Sequence, residues 1–284
     1  MKEILLNEKS LDGQFENMEA FYKTLPVMSR NLKILRENNV ILQKHSSLYQ
    51  SMITKELSLF DLQNRRGKIE PSQRDKLNMW KRQLSSLMNT PPFWDGEASD
   101  CVDSVHEAAK RQTDLLSFFH DQYRDKVLEV SYHDEMREVR SAFSTGYLAE
   151  GLLKKKYIDK TEFIRQRHQD GRIRTCYIDT DSDSVSELEV GEFEELLYGL
   201  ERFDAAKTWK DILTDRFFDY KDYQPVSDRH NVFAGGKFAD KNIDKFRCGQ
   251  HSQVRCFGYR EEELFYVLRI ERDHSCRQRY CLTI

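Results

Sequence analysis

The residues best suited to chemistry lie in one stretch, 243 to 281, where Cys, His and closely spaced Arg occur together with aromatic residues. Cleaving RNA without a metal requires a base for the 2'-hydroxyl, an acid for the leaving oxygen, and cations facing the charge that builds on phosphorus. Arg255, Arg269 and Arg272 are candidates for the cations, His274 for proton transfer, and Tyr259 or Lys245 for a supporting role. Arginine suits phosphate because its rigid donor fork engages two oxygens at once. Lys245, Arg247, Arg260 and Arg277 extend the same region as candidate nucleic-acid contacts. A second basic segment, Lys154, Lys155 and Lys156, lies far upstream. The same side chains would also make a charged rim on an ordinary hairpin, with His274 paired to Asp273.

The element that must position them is a β-hairpin over residues 254–270. From Val254 to Tyr259 and from Leu264 to Ile270, aromatic and β-branched residues recur between polar ones, and Glu261 to Glu263 separate the runs. A period of two puts Phe265, Val267 and Arg269 on one face of the second strand, and Leu264, Tyr266, Leu268 and Ile270 on the other.

These strands and their basic flank resemble the terminal strands of RelE/ParE-type toxins, which are small α+β proteins. VRCFGY and FYVLRIERDH match the two central strands and the segment after them. The resemblance implies that Arg255 corresponds to the arginine of the first strand, and the arginines between 269 and 277 to phosphate-contacting positions. It covers only the C-terminal strands. The wider layout, a large helical region before a small basic module, is similar to that of bacterial defence or toxin-related proteins.

Upstream, helical spacing dominates. Phe15, Met18, Tyr22 and Leu25 form one apolar stripe, and Pro26 interrupts it or starts another helix. Leu77, Trp80, Leu84 and Leu87 form a second stripe. The prolines of TPPFWDG, residues 90–96, end that region, and Phe93 and Trp94 then plug the end of a bundle or line a pocket. Residues 97–123 and 135–167 also read as helical. After Gln169 the composition shifts to a strand at Ile173 to Ile178, an acidic Ser-rich loop, and helices carrying Phe193, Leu196, Leu197 and Leu200 and then covering Ala205 to Phe218. The expectation is an α+β protein: a large, mainly helical domain over residues 1–168, and a smaller α+β domain over residues 169–284 built on the hairpin.

The 284 residues carry a formal net charge of -3, so any nucleic-acid site must be a local basic surface. No apolar run is long enough to cross a bilayer, and the start lacks a signal-peptide layout; a cytoplasmic protein with no membrane contact is expected. No phosphate loop, dinucleotide glycine motif, HExxH motif, GxSxG elbow or kinase signature occurs, and no cofactor or metal is expected. Asp179, Asp181 and Asp183 start like an EF-hand loop, but Ser184 stands where its glycine belongs and Val190 where its final glutamate belongs. Three functions follow. The first is a nucleic-acid-binding or metal-independent RNA-cleaving protein, in a bacterial antiviral or toxin setting, with RNA or DNA as partner. The second is a non-enzymatic subunit with a protein partner or a homo-oligomer. The third is a metal-dependent hydrolase or nuclease using Asp179 and Asp181 with Glu189 or Glu194. Zinc would draw on Cys248, His251, Cys256, His274, Cys276 and Cys281, but no CxxC pair is present.

Overall fold

The computed structural model describes residues 1–64, 71–85, 87, 90–96, 99–169, 171–178, 185–225, 233, 237–249 and 252–272. The chain divides into two compact units, Met1–Tyr157 and Ile158–Ile284. Helices and strands are mixed in both, giving an α+β protein throughout.

The first unit is built on a five-stranded sheet. Strand β1 (Glu3–Asn7) runs parallel to β2 (Ile41–Gln43) on one side and to β3 (Leu115–Ser117) on the other. Next to β3 lies β5 (Glu135–Ala142), also parallel, and then β4 (Lys126–Tyr132), antiparallel at the edge. Ile4, Leu5 and Leu6 are all fully buried, which fits a central strand covered on both faces. Helix α1 (Met18–Glu37) is capped by the Asn17 side chain, which accepts from the Ala20 amide, and buries Phe21, Tyr22, Leu25 and Met28. It runs straight through Pro26, which is exposed, so the expected interruption is absent. Two further helices follow, α2 (Leu59–Asn64) and α3 (Pro71–Met79). The Asp103 side chain caps α4 (Ser104–Arg111), and α5 (Thr145–Lys154) closes the unit. Ala108 and Ala109 of α4 pack with Leu5, Leu115, Val130 and Val139 in one cluster, and Trp94 joins that core. Trp94 donates from its indole Nε1 to Ser104 Oγ at 3.0 Å.

This corrects the expected helical domain. Residues 135–142, EMREVRSA, carry Glu, Met, Arg and Ala and so read as the start of a long helix, yet they pair with Lys126–Tyr132 in a hairpin. Val130 and Val139 are buried against α4, and burial on one face of the sheet overrides intrinsic preference. The loop residues His133 and Asp134 have φ of 48° and 63°, the left-handed pair that a two-residue hairpin turn requires.

The second unit starts with α6 (Lys160–Arg167) and a short β6 (Ile173–Arg174), followed by α7 (Val190–Ala205) and α8 (Trp209–Thr214). Thr208 caps α8 in a capping box with Asp211, which breaks the expected continuous helix from Ala205 to Phe218. The remaining strands are β7 (Lys221–Asp222), β8 (Asp244–Arg247), β9 (Arg255–Glu261) and β10 (Leu264–Glu271). The sheet order is β6-β10-β9-β8-β7, antiparallel except where β6 joins β10.

Helix α7 backs one face of this sheet through Phe203, whose ring lies 4.7 Å from Phe246 and 5.7 Å from Phe265 between centroids. Gly199 permits that approach, because a Cβ there would stand 2.5 Å from Cys248 Cβ and 2.8 Å from its Cα. Gly199→Ala is therefore expected to destabilise the protein by about 1–3 kcal/mol through overpacking. Equilibrium urea unfolding measures it, and an unchanged midpoint would show that α7 does not bear on the sheet this closely.

Among the described residues no helix is long and apolar enough to cross a membrane.

Candidate nucleic-acid interface

The face of the second sheet turned away from α7 is ordered in rows across the strands. In an antiparallel pair, directly opposite residues share a face. Arg247 on β8 stands opposite Arg255 on β9, which stands opposite Glu271 on β10. The next row is Lys245, Phe257 and Arg269, and beyond it Tyr259 faces Tyr266. A register shift between Val267 and Arg269 makes this arrangement. Leu268 is the extra residue, and after it Arg269 and Glu271 join the face of Tyr266 instead of that of Phe265 and Val267. A simple period of two places Arg269 with Phe265 and Val267; the bulge reverses that assignment.

These rows hold four basic side chains against one carboxylate. Glu271, only 1 % exposed, forms an ion pair with Arg269. Arg255 is 6 % exposed, and Arg247 reaches Asp219 at 3.4 Å. Asp219 is held below the usual carboxylate range by its hydrogen bond to Lys221, with Arg247 and Arg255 adding to the effect.

Aromatic rings cover the middle of the face. Tyr223, Phe233, Phe238 and Tyr266 pack on the buried cluster of Ile243, Phe257, Tyr259 and Leu268. Lysines lie over these rings: Lys237 Nζ is 4.6 Å from the Tyr177 centroid, Lys241 Nζ 5.0 Å from Tyr259, and Lys245 Nζ 5.7 Å from Tyr223. Lys241 also pairs with Glu261 at 3.2 Å.

Of the residues singled out from sequence, Lys245, Arg247, Arg255, Tyr259 and Arg269 come together here. Arg260 does not: it stands opposite Phe265, and its guanidinium lies 4.1 Å over the Trp209 ring on the α7 side. Arg272 is turned to the start of α7, with Nε 2.9 Å from Glu192. His274 and Arg277 lie outside the described residues. Tyr259 is 5 % exposed, and burial pushes its phenol up to about 12, so the phenol keeps its proton near neutrality.

The other chemistries map as follows. Cys248 and Cys256 are fully buried with Sγ atoms 3.8 Å apart, and burial pushes the Cys248 thiol well up, as for thiols in an apolar core. His251, Cys276, Cys281, Asp179, Asp181 and Asp183 lie outside the described residues. Glu189 is engaged in a capping box with Glu192 at the start of α7, and Glu194 is exposed on that helix. Among the described residues no three His, Cys, Asp or Glu side chains converge as metal ligands would.

Lys154, Lys155 and Lys156 belong to the first unit, where Lys154 and Lys155 line a cleft of about 570 Å³ with Asp114, Arg137, Arg140 and Gly151. Lys154 pairs with Glu150 at 2.7 Å and Lys155 with Asp114 at 3.3 Å. Lys156 is exposed in a left-handed conformation just past α5. The cleft mixes both charge signs. Burial raises Asp114 despite the opposing pull of Lys155 and Arg140.

Comparison with protein-family models, curated proteins and solved structures found no match for this chain.

Sequence reasoning missed Tyr177, Tyr266, Lys237 and Lys241 as parts of the face. Strand alternation sets Tyr266 apart from Arg269, and the others come from segments without regular periodicity. The available signal is local, a lysine beside or near an aromatic residue, as in Lys237-Phe238.

Two consequences are measurable. Glu271→Ala leaves the buried basic row without its carboxylate and is expected to cost about 3–5 kcal/mol. A loss below about 1 kcal/mol in urea unfolding would show that Glu271 does not offset the arginines. Asp114, with its folded pKa raised, contributes stability below the usual carboxylate range that is lost as pH rises through the raised value. The stability of Asp114→Asn relative to wild type should therefore move in the variant's favour between about pH 3 and pH 7. Thermal melts across that range test the sign, and a shift in the opposite direction would contradict it.

Proposed function

We propose that the protein binds nucleic acid through the basic, aromatic face of its C-terminal sheet, the described residues of that face serving to hold the ligand. The observation that carries the reading is the placement of Lys237, Lys241 and Lys245 over aromatic rings of one sheet face. Cations that track a phosphate backbone and rings that accept bases are the two components of such a surface. The likeness of β9 and β10 to RelE/ParE-type strands points to the same ligand class, with Arg255 matching the arginine of the first strand. A bacterial defence or toxin setting belongs to this proposal. Binding, as opposed to cleavage, is favoured by the burial of Arg255 and Tyr259 and by the engagement of Arg269 and Arg272 with Glu271 and Glu192.

The test is fluorescence anisotropy with labelled oligonucleotides, single-stranded and duplex, over a salt series. Affinity for at least one form should fall steeply with salt. For a single strand, the combined Lys237→Ala, Lys241→Ala and Lys245→Ala variant should flatten the log–log salt slope by about 2, roughly 0.7 for each phosphate left without its cation. Absence of binding of every form at about 50 mM salt would overturn the proposal.

A further inference from the structure

Three tyrosines are stacked on the sheet face. Tyr259 and Tyr266, opposite each other on β9 and β10, have centroids 4.9 Å apart and planes 12° from parallel. Tyr177, in the turn after β6, continues the stack on Tyr266 at 5.8 Å and 27°. Burial falls along the stack: Tyr259 is buried, Tyr266 half-buried, and Tyr177 40 % exposed. A buried stack that only completed a core would end on a covered ring. This one ends on a ring that is partly exposed, with the Phe238 ring 5.5 Å away at 53° and the Lys237 ammonium 4.6 Å from its centroid.

We infer that Tyr177 is a stacking residue for an unpaired base, so that the ligand class of this face is single-stranded RNA or DNA in preference to duplex. The inference rests on the nucleic-acid reading above. In a duplex both faces of an internal base are occupied by its neighbours, so a protein ring reaches only a base that is already unstacked. The two lower rings belong to paired strands, so the platform is held in place before binding, and little ordering is needed when a base arrives. Lys237 is exposed with its ammonium against this ring, a cation within reach of the phosphate next to a base that stacks there. Any base presents a π-face, so stacking selects for unpaired strand and not for sequence.

The experiment uses the full chain with 12-nucleotide RNA and DNA of one mixed sequence, each also as a blunt duplex. Wild type should bind at least one single strand about tenfold more tightly than its duplex, and Tyr177→Ala should weaken that single-strand binding by roughly 5- to 100-fold, narrowing its advantage over the duplex. Tyr177→Trp gives a readout by difference from wild type, which already carries Trp80, Trp94 and Trp209, because a base stacked on the added indole should quench the extra emission on titration with the single strand but not with the duplex. The RNA and DNA arms show whether one sugar is preferred. If single strand and duplex bind equally and the emission of the Tyr177→Trp variant is unmoved, the stacking inference falls while nucleic-acid binding stands. If no oligonucleotide binds at all, the wider proposal falls with it. Circular dichroism melts confirm that each variant is folded, and the fluorescence of the Tyr177→Trp variant reports stacking even if Tyr177→Ala is unstable.

Discussion

The second unit depends on how β10 pairs with β9 around one buried carboxylate. Arginines stand at 247, 255 and 269 on a single sheet face, and their mutual repulsion in a partly desolvated row would oppose folding. Glu271 enters that row only because Leu268 is an extra residue in β10. With regular pairing, Arg269 and Glu271 would turn toward α7, where Phe203, Phe246 and Phe265 fill the space. The bulge thus does two things at once. It keeps charge out of the aromatic core, and it supplies the basic face with its counter-ion.

The same geometry separates what the face can do from what its residue types suggest. Arginine, tyrosine and histidine near a hairpin are the right types for phosphodiester chemistry, but a catalytic group must reach the reacting atoms with a usable proton. Tyr259 is buried as a phenol, and Arg269 is joined to Glu271. The accessible groups, Lys237 and Tyr177, are those on which the proposed strand binding rests.

In the first unit the sheet is organised by β1, whose fully buried apolar residues accept parallel neighbours on both sides. The edge hairpin β4–β5 extends it, and Val130 and Val139 tie that hairpin to α4. The cleft beside α5 keeps Asp114 close to Gly151, where a Cβ would come within 2.7 Å of the carboxylate. A helix approaches a buried acid this closely only if it leaves the space empty at that position.

Sequence alone determined the α+β class, the apolar stripe of Phe193, Leu196 and Leu200 on α7, and the stretch rich in basic and aromatic residues. Each of these follows from local composition or a short period, which survive without knowledge of distant contacts. It misread residues 135–142 because good helix formers there are held in a strand by burial against a helix distant in the chain. It also placed Arg269 on the wrong face, since one inserted residue changes strand parity and nothing in the surrounding alternation announces it. The stack of Tyr177, Tyr266 and Tyr259 was decided by tertiary structure alone. Its rings come from a turn and two strands, and only the folded sheet brings them into contact.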